Sequence, residues 1–263
     1  MMTGFFDYDI PEEYRVEKVD HDQYKKMQCD WHNERRGNLP DVDCPECLNR
    51  GNFMTLSEDG EQIIRECKCM VQRRYIWAMR EAGLGYMYER CTFDAYTTEQ
   101  DWQANAKKRA MYYAAMPGNK WLQFSGNSGC GKTHLCTAIC SELAKQGRQV
   151  KYVEWKRLLA KLQQTKYKET EQDALIREMQ NVDVLYIDDF LKTAGNAKPS
   201  DEALNYALEI INARYIRDKK TIISTEFMDK ELIDFDEALG SRIVEKSFQI
   251  QVLRSQGRNF RTK

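Results

Sequence analysis

One short segment constrains the fold of this chain more than any other. Residues 126–133 read G-N-S-G-C-G-K-T, which fits the spacing G-x-x-x-x-G-K-[ST]. A short apolar run precedes the segment and a helical pattern follows it, and this is the context in which such a loop wraps nucleotide phosphates. The sequence therefore predicts a phosphate-binding loop formed by Gly126, Asn127, Ser128, Gly129, Cys130, Gly131, Lys132, Thr133 and His134.

The residue types in this loop fit the chemistry of a bound nucleoside triphosphate. Glycines let the backbone turn its N–H groups inward around the phosphates. Lys132 can reach the β- and γ-phosphate oxygens, and Thr133 can offer its hydroxyl to Mg²⁺. The helix that follows adds the favourable end of its dipole. We therefore predict ATP and Mg²⁺ as cofactors.

The pattern around the loop indicates an α/β fold. From about residue 101, short apolar runs typical of strands alternate with helical stretches, and this alternation is typical of a parallel sheet covered by helices on both faces. The predicted helices are 101–116, 132–146, 156–163, 171–180, 200–217, 229–233 and 239–245. The predicted strands are 120–125, 149–154, 182–187, 220–225 and 247–253.

Acidic and hydroxyl side chains follow two of these strands. Asp188 and Asp189 come directly after strand 182–187, where Asp188 would hold Mg²⁺ through water and Asp189 would orient or deprotonate the attacking water. Strand 220–225 ends at Thr225, which is the candidate for holding that water. The alternative is that Thr225 is an ordinary polar residue at the end of a strand and has no role in the reaction.

Composition bounds the remaining possibilities. The chain has 263 residues, of which 42% are hydrophobic and 31% charged, and its net charge of −1 gives no global signal for nucleic acid. It lacks a run of eighteen apolar residues, and its acidic start lacks the pattern of a signal peptide, so we predict a cytoplasmic protein without membrane contact. In a reducing compartment, nine cysteines are not expected to form disulfides.

A cysteine-rich segment precedes the α/β region. Residues 29–70 have few apolar runs, so they need a metal or a partner to fold. Cys44, Cys47, Cys67 and Cys69 form C-x-x-C and C-x-C pairs that suit tetrahedral Zn²⁺ in a structural site. A nearby C-x-x-H at 29–32 either replaces one thiolate or lies outside the site. Residues 1–28 show no clear period and read as an arm, residues 71–82 read as a helix, and residues 84–100 as a connector.

Four motifs occur in the order found in AAA+ ATPases: G-N-S-G-C-G-K-T-H, V-L-Y-I-D-D, T-I-I-S-T-E and G-S-R-I. Together with T-F-D-A-Y at 92–96 and the cysteine pairs, they make the chain similar to the DnaC/DnaI-type replicative helicase loaders and their IstB-type relatives. The resemblance implies an AAA+ P-loop core with a five-stranded parallel sheet in the order 5-1-4-3-2 and a reduced or absent helical lid. A small zinc-binding module would precede this core. The sequence is accordingly divided into residues 1–85 and an ATPase domain at 86–263.

The resemblance also implies a function. It predicts an ATPase that binds a hexameric replicative helicase and delivers it onto single-stranded DNA, with self-association through the AAA+ domain. Arg242 would act on the nucleotide of a neighbouring subunit, and residues 1–85 would contact the helicase. DNA contact is assigned to a stretch that mixes basic and aromatic residues and faces a central pore in the matched ATPases: Lys161, Lys166, Tyr167 and Lys168.

Two departures and two alternatives remain at this stage. Asp189 stands where many related ATPases have Glu, and Glu226 stands where the family often has Asn. An IstB-type transposition helper, or another DNA-bound adaptor that uses ATP as an assembly switch, is the main alternative to a loader. A metabolic P-loop kinase fits poorly, because paired acids after the strand point to water as the nucleophile.

Overall fold

The structure is a computed structural model that describes residues 21–81, 85–193 and 197–253. It separates into two compact units, Met1–Met70 and Val71–Lys263. The sequence-based boundary after residue 85 lies later in the chain. The reason is helix α2 (Cys69–Glu81), which buries Tyr75, Ile76 and Met79. The Tyr75 hydroxyl donates to the carbonyl of Thr137, so this helix packs as part of the ATPase unit.

The first unit is a helix beside a two-stranded hairpin. Helix α1 (His21–Glu34) is followed by strands β1 (Asn52–Leu56) and β2 (Gln62–Glu66), which pair antiparallel. The Asn33 side chain ties the helix to the hairpin, because its amide donates to the carbonyl of Met54 and accepts from the Met54 N–H. The sequence did not predict α1 or the hairpin. Only Cys29 of α1 is buried, so the helix carries almost no apolar period to read.

The second unit contains a five-stranded parallel sheet. Its strands are β3 (Trp121–Gly126), β4 (Val150–Glu154), β5 (Val184–Asp188), β6 (Lys220–Thr225) and β7 (Ser247–Val252), in the order β4-β5-β6-β3-β7. Counted along the chain within this unit, the order is 5-1-4-3-2, so the predicted fold class and strand order are confirmed. The three central strands are buried at every residue, as a sheet covered on both faces requires.

Helices flank this sheet. They are α3 (Gly85–Arg90), α4 (Asp101–Ala115), α5 (Lys132–Lys145), α6 (Trp155–Gln164), α7 (Glu169–Asn181), α8 (Asp201–Ile216), α9 (Asp229–Phe235) and α10 (Glu237–Lys246). Helix α3 lies in the segment expected to be a connector. Within the described residues, no helix combines the length and the apolar character needed to cross a bilayer.

A buried arginine fixes the strands that carry the acidic residues. The side chain of Arg214 on α8 is fully buried, and its guanidinium donates to the hydroxyl of Thr221 and to the carbonyls of Met179, Val182 and Lys220. These contacts join the end of α7 to the start of β6. Since buried charge is tolerated only when it is hydrogen-bonded, this network helps to hold β5 and β6 in register.

Candidate nucleotide and zinc sites

The loop between β3 and α5 has the backbone geometry that its glycines predict. Gly129 and Gly131 have φ angles of 78° and 90°, in the left-handed region that side chains rarely adopt. A Cβ atom at Gly131 would lie 2.7 Å from the Tyr96 ring, and one at Gly126 would lie 3.0 Å from the Cys130 sulfur. Glycine is therefore favoured at 129 by conformation, at 126 by space, and at 131 by both.

Lys132 lies inside this loop. The residue is 5% exposed, and its ammonium donates to the carbonyls of Gly126 at 2.8 Å and Asn127 at 3.0 Å. A buried ammonium at the start of a helix gives the loop a fixed positive centre. The arrangement suits binding of a phosphate group.

Asp188, at the end of β5, is the centre of a hydrogen-bond cluster. Its Oδ1 accepts from the hydroxyls of Thr133 at 3.2 Å, Tyr186 at 2.8 Å, and Ser224. Its Oδ2 accepts from the hydroxyl of Tyr152 at 3.3 Å. The structure thus brings Thr133 and Asp188, the two magnesium ligands proposed from the sequence, into direct contact.

The tyrosines and Ser224 were not identified from the sequence. Tyr186 and Asp188 share one face of β5 because side chains alternate along a strand, and Tyr152 is the parallel neighbour of Tyr186. Burial, followed by the charge of Asp188, raises the pKa of both tyrosines well above the usual value. Both hydroxyls therefore stay protonated and donate to the carboxylate. The sequence signal was the two-residue spacing between Tyr186 and Asp188.

Asp189 occupies a strained turn beside this cluster. Its φ of 51° lies in the left-handed region, which is uncommon for a residue other than glycine and often marks a functional site. Its N–H donates to the hydroxyl of Ser224, and its carboxylate pairs with Lys192 at 3.0 Å. Lys192 also pairs with Glu226 at 2.8 Å.

Two neighbouring cavities meet at the loop. One of about 200 Å³ is lined by Ser128, Lys132, Thr133, Asp189 and Lys192, among others. The other, of about 340 Å³, shares Gly129, Gly131 and His134 with it and extends to Tyr96 and Gln103. The first has the polar lining that phosphates need, and the second adds an aromatic wall.

The aromatic wall comes from the segment that the sequence marked only by T-F-D-A-Y. The rings of Tyr96 and His134 meet edge to face with centroids 5.2 Å apart. His134 is hydrogen-bonded to the carbonyl of Thr92 at 2.8 Å, which anchors the segment to α5. Tyr96 is therefore a candidate contact for a nucleotide base, in addition to the loop residues.

The structure places Thr225 differently from the sequence expectation. Its hydroxyl donates to the carbonyl of Phe190 at 3.0 Å and accepts from the N–H of Phe227 at 3.2 Å. Because side chains alternate along β6, the adjacent Ser224 reaches the acidic residues instead. The contacts of Thr225 are those of a strand end, and of these two hydroxyls it is that of Ser224 that contacts Asp188 and Asp189.

Arg242 lies on α10, away from the contacts around Asp188. Its guanidinium donates to the carbonyl of Ala238 at 2.6 Å and lies 5.7 Å from the centre of the Tyr215 ring. The role predicted for it requires a second subunit, so it stays a prediction.

The residues assigned to DNA lie at and after the end of α6. Leu158 and Leu162 are buried, whereas Lys161 is exposed. Tyr167 is 94% exposed. The other two assigned residues form ion pairs: Lys166 with Glu202 at 3.0 Å, and Lys168 with Glu171 at 3.1 Å. Exposed pairs of this kind contribute little, so the lysines remain available to a stronger anion.

The four cysteines of the first unit form one cluster. Their sulfur atoms all lie within 4.8 Å of one another, with 3.8 Å between Cys44 and Cys67 and 3.6 Å between Cys47 and Cys69. A tetrahedral zinc ion with Zn–S bonds of about 2.3 Å separates its sulfur ligands by roughly 3.8 Å. These distances fit zinc and are far longer than the roughly 2.05 Å of a disulfide.

The surroundings of the cluster also fit a structural zinc site. The N–H of Gly51 donates to the Cys47 sulfur at 3.3 Å. Burial raises the pKa of the Cys47 thiol, but the hydrogen bonds from Gly51 and the other cysteines lower it to about 7. A thiolate is thus accessible near neutral pH. Cys29 and His32 lie outside the cluster, since His32 is hydrogen-bonded to Asn52 and Cys29 faces Gln62.

Comparison with known proteins agrees with this geometry. The model of the bacterial DnaA ATPase domain matches residues 87–248, which is more than half of the chain. The chain belongs to this family. The matched residues contain the phosphate loop, the Asp188 cluster and Arg242. The similarity to the DnaC/DnaI type of AAA+ ATPase, recognised from four short motifs, is confirmed.

Three relatives show how far the similarity extends. The chain is 29% identical to the uncharacterized protein YqaM of Bacillus subtilis, over 71% of this chain and 62% of YqaM. It is 27% identical to the phage-like element PBSX protein XkdC of the same organism, over 77% and 79%. It is 31% identical to the replicative helicase loader DnaC of Escherichia coli, over 48% and 51%. The chain thus spans about half of DnaC and less than two thirds of YqaM.

Solved structures confirm the fold. The crystal structure of the DnaC helicase loader has a TM-score of 0.54 at 24% identity and covers 63% of this chain and 98% of that one. The replication initiator DnaA bound to AMPPCP and single-stranded DNA has a TM-score of 0.51 at 20% identity, covering 63% and 50%.

Proposed function

We propose that this protein is an ATP-dependent loader that binds a replicative ring helicase and helps to place it on single-stranded DNA when replication begins. The observation that supports this most is the contact of Thr133 with Asp188 beside the buried ammonium of Lys132. These groups are in the arrangement that a nucleoside triphosphate and its metal need. The similarity to DnaC supports the choice of partner.

Each residue of the site has a role in this proposal. Lys132 and the loop N–H groups bind the phosphates, and Asp189 orients the attacking water. Thr133 and Asp188 would hold Mg²⁺, which neutralises charge on the phosphates. Tyr186, Tyr152 and Ser224 fix the carboxylate of Asp188. Arg242 contributes charge to the site of a neighbouring copy in the assembled state.

Partner binding is divided between the two units. The cysteine cluster shapes the unit within residues 1–85 that we assign to the helicase, and the first twenty residues of that region lie outside the described residues. The exposed Tyr167 offers a ring on which a base can stack, and the neighbouring lysines can meet phosphates. The DnaA neighbour was solved with single-stranded DNA, which is the class of nucleic acid we propose here.

One set of measurements tests the proposal. The full-length protein is mixed with the hexameric replicative helicase of its own cell, with and without ATP, and the complex is measured by size-exclusion chromatography with light scattering. Helicase unwinding of a single-strand-binding-protein-coated template is then followed. We expect the wild type to form a complex with the helicase and to load it in an ATP-dependent way. We expect Lys132→Ala to lose the loading activity. Absence of a helicase complex, with tight binding to duplex DNA, would instead favour a DNA-bound adaptor.

A further inference from the structure

Lys192 is a charged residue of the nucleotide site that the motifs do not include. It follows β5 in a turn where both Asp189 and Leu191 have positive φ angles, 51° and 60°. Its N–H donates to the carbonyl of Asp189, which closes the turn. A strained turn that places one side chain is a feature of functional sites.

The ammonium of Lys192 joins two carboxylates from different strands. It lies 3.0 Å from Asp189, which follows β5, and 2.8 Å from Glu226, which follows β6. Burial lowers the pKa of Lys192, but its pairing with Glu226 and then with Asp189 raises the pKa above its ordinary value, so the group stays charged. Each of these contacts is replaceable, because the lysine side chain is 35% exposed and long.

Lys192 also faces the phosphate cavity. It lines the same space of about 200 Å³ as Ser128, Lys132 and Thr133. A terminal phosphate entering this cavity brings up to two negative charges and three acceptor oxygens within reach of the ammonium. A phosphate oxygen competes well with a carboxylate for such a donor, since both bonds are charge-assisted.

We propose that Lys192 binds the terminal phosphate of the triphosphate and thereby reports its presence to Asp189. Without that phosphate, the ammonium holds Asp189 and Glu226 together. With it, the ammonium turns to the phosphate, and the carboxylate of Asp189 is released to orient water. This inference rests on the proposed function, because it assigns a role within the same ATP site.

The proposal also explains how Glu226 can stand at a position where related ATPases often have Asn. An ionised carboxylate has no hydrogen-bond donor and cannot itself bind a phosphate oxygen. Glu226 instead holds the Lys192 ammonium while the terminal phosphate is absent. The ammonium, which has three donors, supplies the contact to the phosphate when it is present.

Equilibrium binding of two nucleotides tests this role. Fluorescent derivatives of a non-hydrolysable ATP analogue and of ADP, each with Mg²⁺, are titrated with the full-length protein. We expect Lys192→Met to weaken the ATP analogue about tenfold and ADP less than about twofold, because one charge-assisted bond to the terminal phosphate is lost. Lys192→Arg keeps the charge and should retain most of the preference for the ATP analogue.

The matched control is Lys151→Met. Lys151 has the same 35% exposure and a 2.8 Å ion pair with Glu178, but lies outside the phosphate cavity, so both affinities should be unchanged. Glu226→Gln removes a competitor for the ammonium and should keep or increase the preference for the ATP analogue. A fall in Glu226→Gln to the level of Lys192→Met would overturn the proposal.

The outcomes separate this inference from the proposed function. In one outcome, the wild type binds both nucleotides and Lys192→Met shows the same preference between them as the wild type. Lys192 then only links the two carboxylates, and the inference is wrong, but the proposed ATP site is retained. If the wild type binds neither nucleotide, both fail. A crystal structure with the ATP analogue gives a direct reading, since the Lys192 ammonium must then contact the terminal phosphate and not Asp189.

Discussion

The two units of this chain obtain their order in different ways. In the first unit, the buried cluster consists of Cys44, Cys47 and Cys67, with Phe53 and Cys69 packed against them. In the second, a large cluster of aliphatic and aromatic side chains runs from Trp121 to Ile243 across the sheet and its helices. In the first unit the candidate metal ligands are therefore themselves the buried cluster, whereas in the second the candidate site residues lie beside a separate hydrophobic core.

This difference has a consequence for mutation. In the first unit, the residues that we propose bind zinc also form the buried cluster, so we expect one change to remove both the ion and the fold. In the second, the polar side chains of the proposed ATP site are not members of the hydrophobic cluster, so we expect changing them to remove function and leave the fold. The predictions below test this contrast, beginning with the largest expected effect.

The largest effect is expected from Cys67→Ser. Structural zinc sites contribute about 10–16 kcal/mol of binding free energy, which exceeds what so small a unit gains from its own core. We expect the variant to lose its zinc, as measured by plasma mass spectrometry, and to lose amide protection across residues 52–66 in hydrogen exchange. Nucleotide affinity should change by less than about twofold, since another unit binds the nucleotide.

The matched control for the zinc prediction is Cys29→Ser. Cys29 is also buried in the first unit, at 4% exposure, but lies outside the cluster. This variant should keep one zinc ion per chain. Full zinc content in Cys67→Ser would show that the ion is bound elsewhere or is not needed by the hairpin.

The next effect is expected from Lys132→Ala. The ammonium can make more than one charge-assisted bond to phosphate, so we expect ATP affinity to fall about 100-fold in isothermal titration calorimetry. Zinc content and the thermal unfolding midpoint should change little. Lys145→Ala, at the exposed end of the same helix α5, should leave ATP affinity unaltered. A large fall in the unfolding midpoint in Lys132→Ala would contradict the contrast between the two units.

A smaller effect is expected from the tyrosines that hold Asp188. Tyr186→Phe removes a 2.8 Å hydrogen bond to the carboxylate, and Tyr152→Phe removes a longer one of 3.3 Å. We expect the rate of ATP hydrolysis at limiting Mg²⁺ to fall about tenfold in Tyr186→Phe and about threefold in Tyr152→Phe, because Asp188 is less well oriented. The losses should shrink at saturating Mg²⁺. Equal rates in both variants and the wild type would remove these hydroxyls from the metal site.

The sequence predicted the second unit well and the first only in its chemistry. Apolar runs and the loop motif located all five strands of the parallel sheet within two residues of their observed ends. Helix α1 and the hairpin were not predicted. They are held in place by the cysteine cluster and by Asn33, and neither of these produces a periodic pattern of apolar residues in the sequence. The cluster itself was predicted, since ligand spacing is local.

Within the site, local motifs predicted the loop, Asp188 and Asp189, but not the contacts between strands. Ser224 and Tyr152 come from separate parts of the chain, and the order β4-β5-β6 brings them to Asp188. The same order brings Glu226 to Lys192. The choice between Ser224 and Thr225 depended on which face of β6 each residue occupies. A strand buried on both faces gives no polar alternation from which to read this.

The smallest effect is expected from the exposed lysines after the end of α6, which belong neither to the hydrophobic core nor to the cysteine cluster. Lys166 and Lys168 already pair with Glu202 and Glu171, so DNA phosphates must displace carboxylates to reach them. Replacing both lysines with alanine should lower single-strand affinity several-fold and reduce the slope of log affinity against log salt by about 1.4, at about 0.7 for each phosphate contact. Fluorescence anisotropy across a salt series measures both quantities.

Because these lysines form ion pairs, a similar ion pair elsewhere serves as the control, and changing a paired carboxylate gives a second test. Lys246 has a similar 3.0 Å pair with Asp218 on another face, and Lys246→Ala should leave the slope unchanged. Glu202→Gln frees Lys166 from its competitor and should strengthen DNA binding, since the phosphate then displaces no ion pair. If Glu202→Gln has no effect while the double lysine variant weakens binding, the phosphate contact belongs to Lys168. If neither changes the slope, DNA is bound by another surface of the ATPase unit.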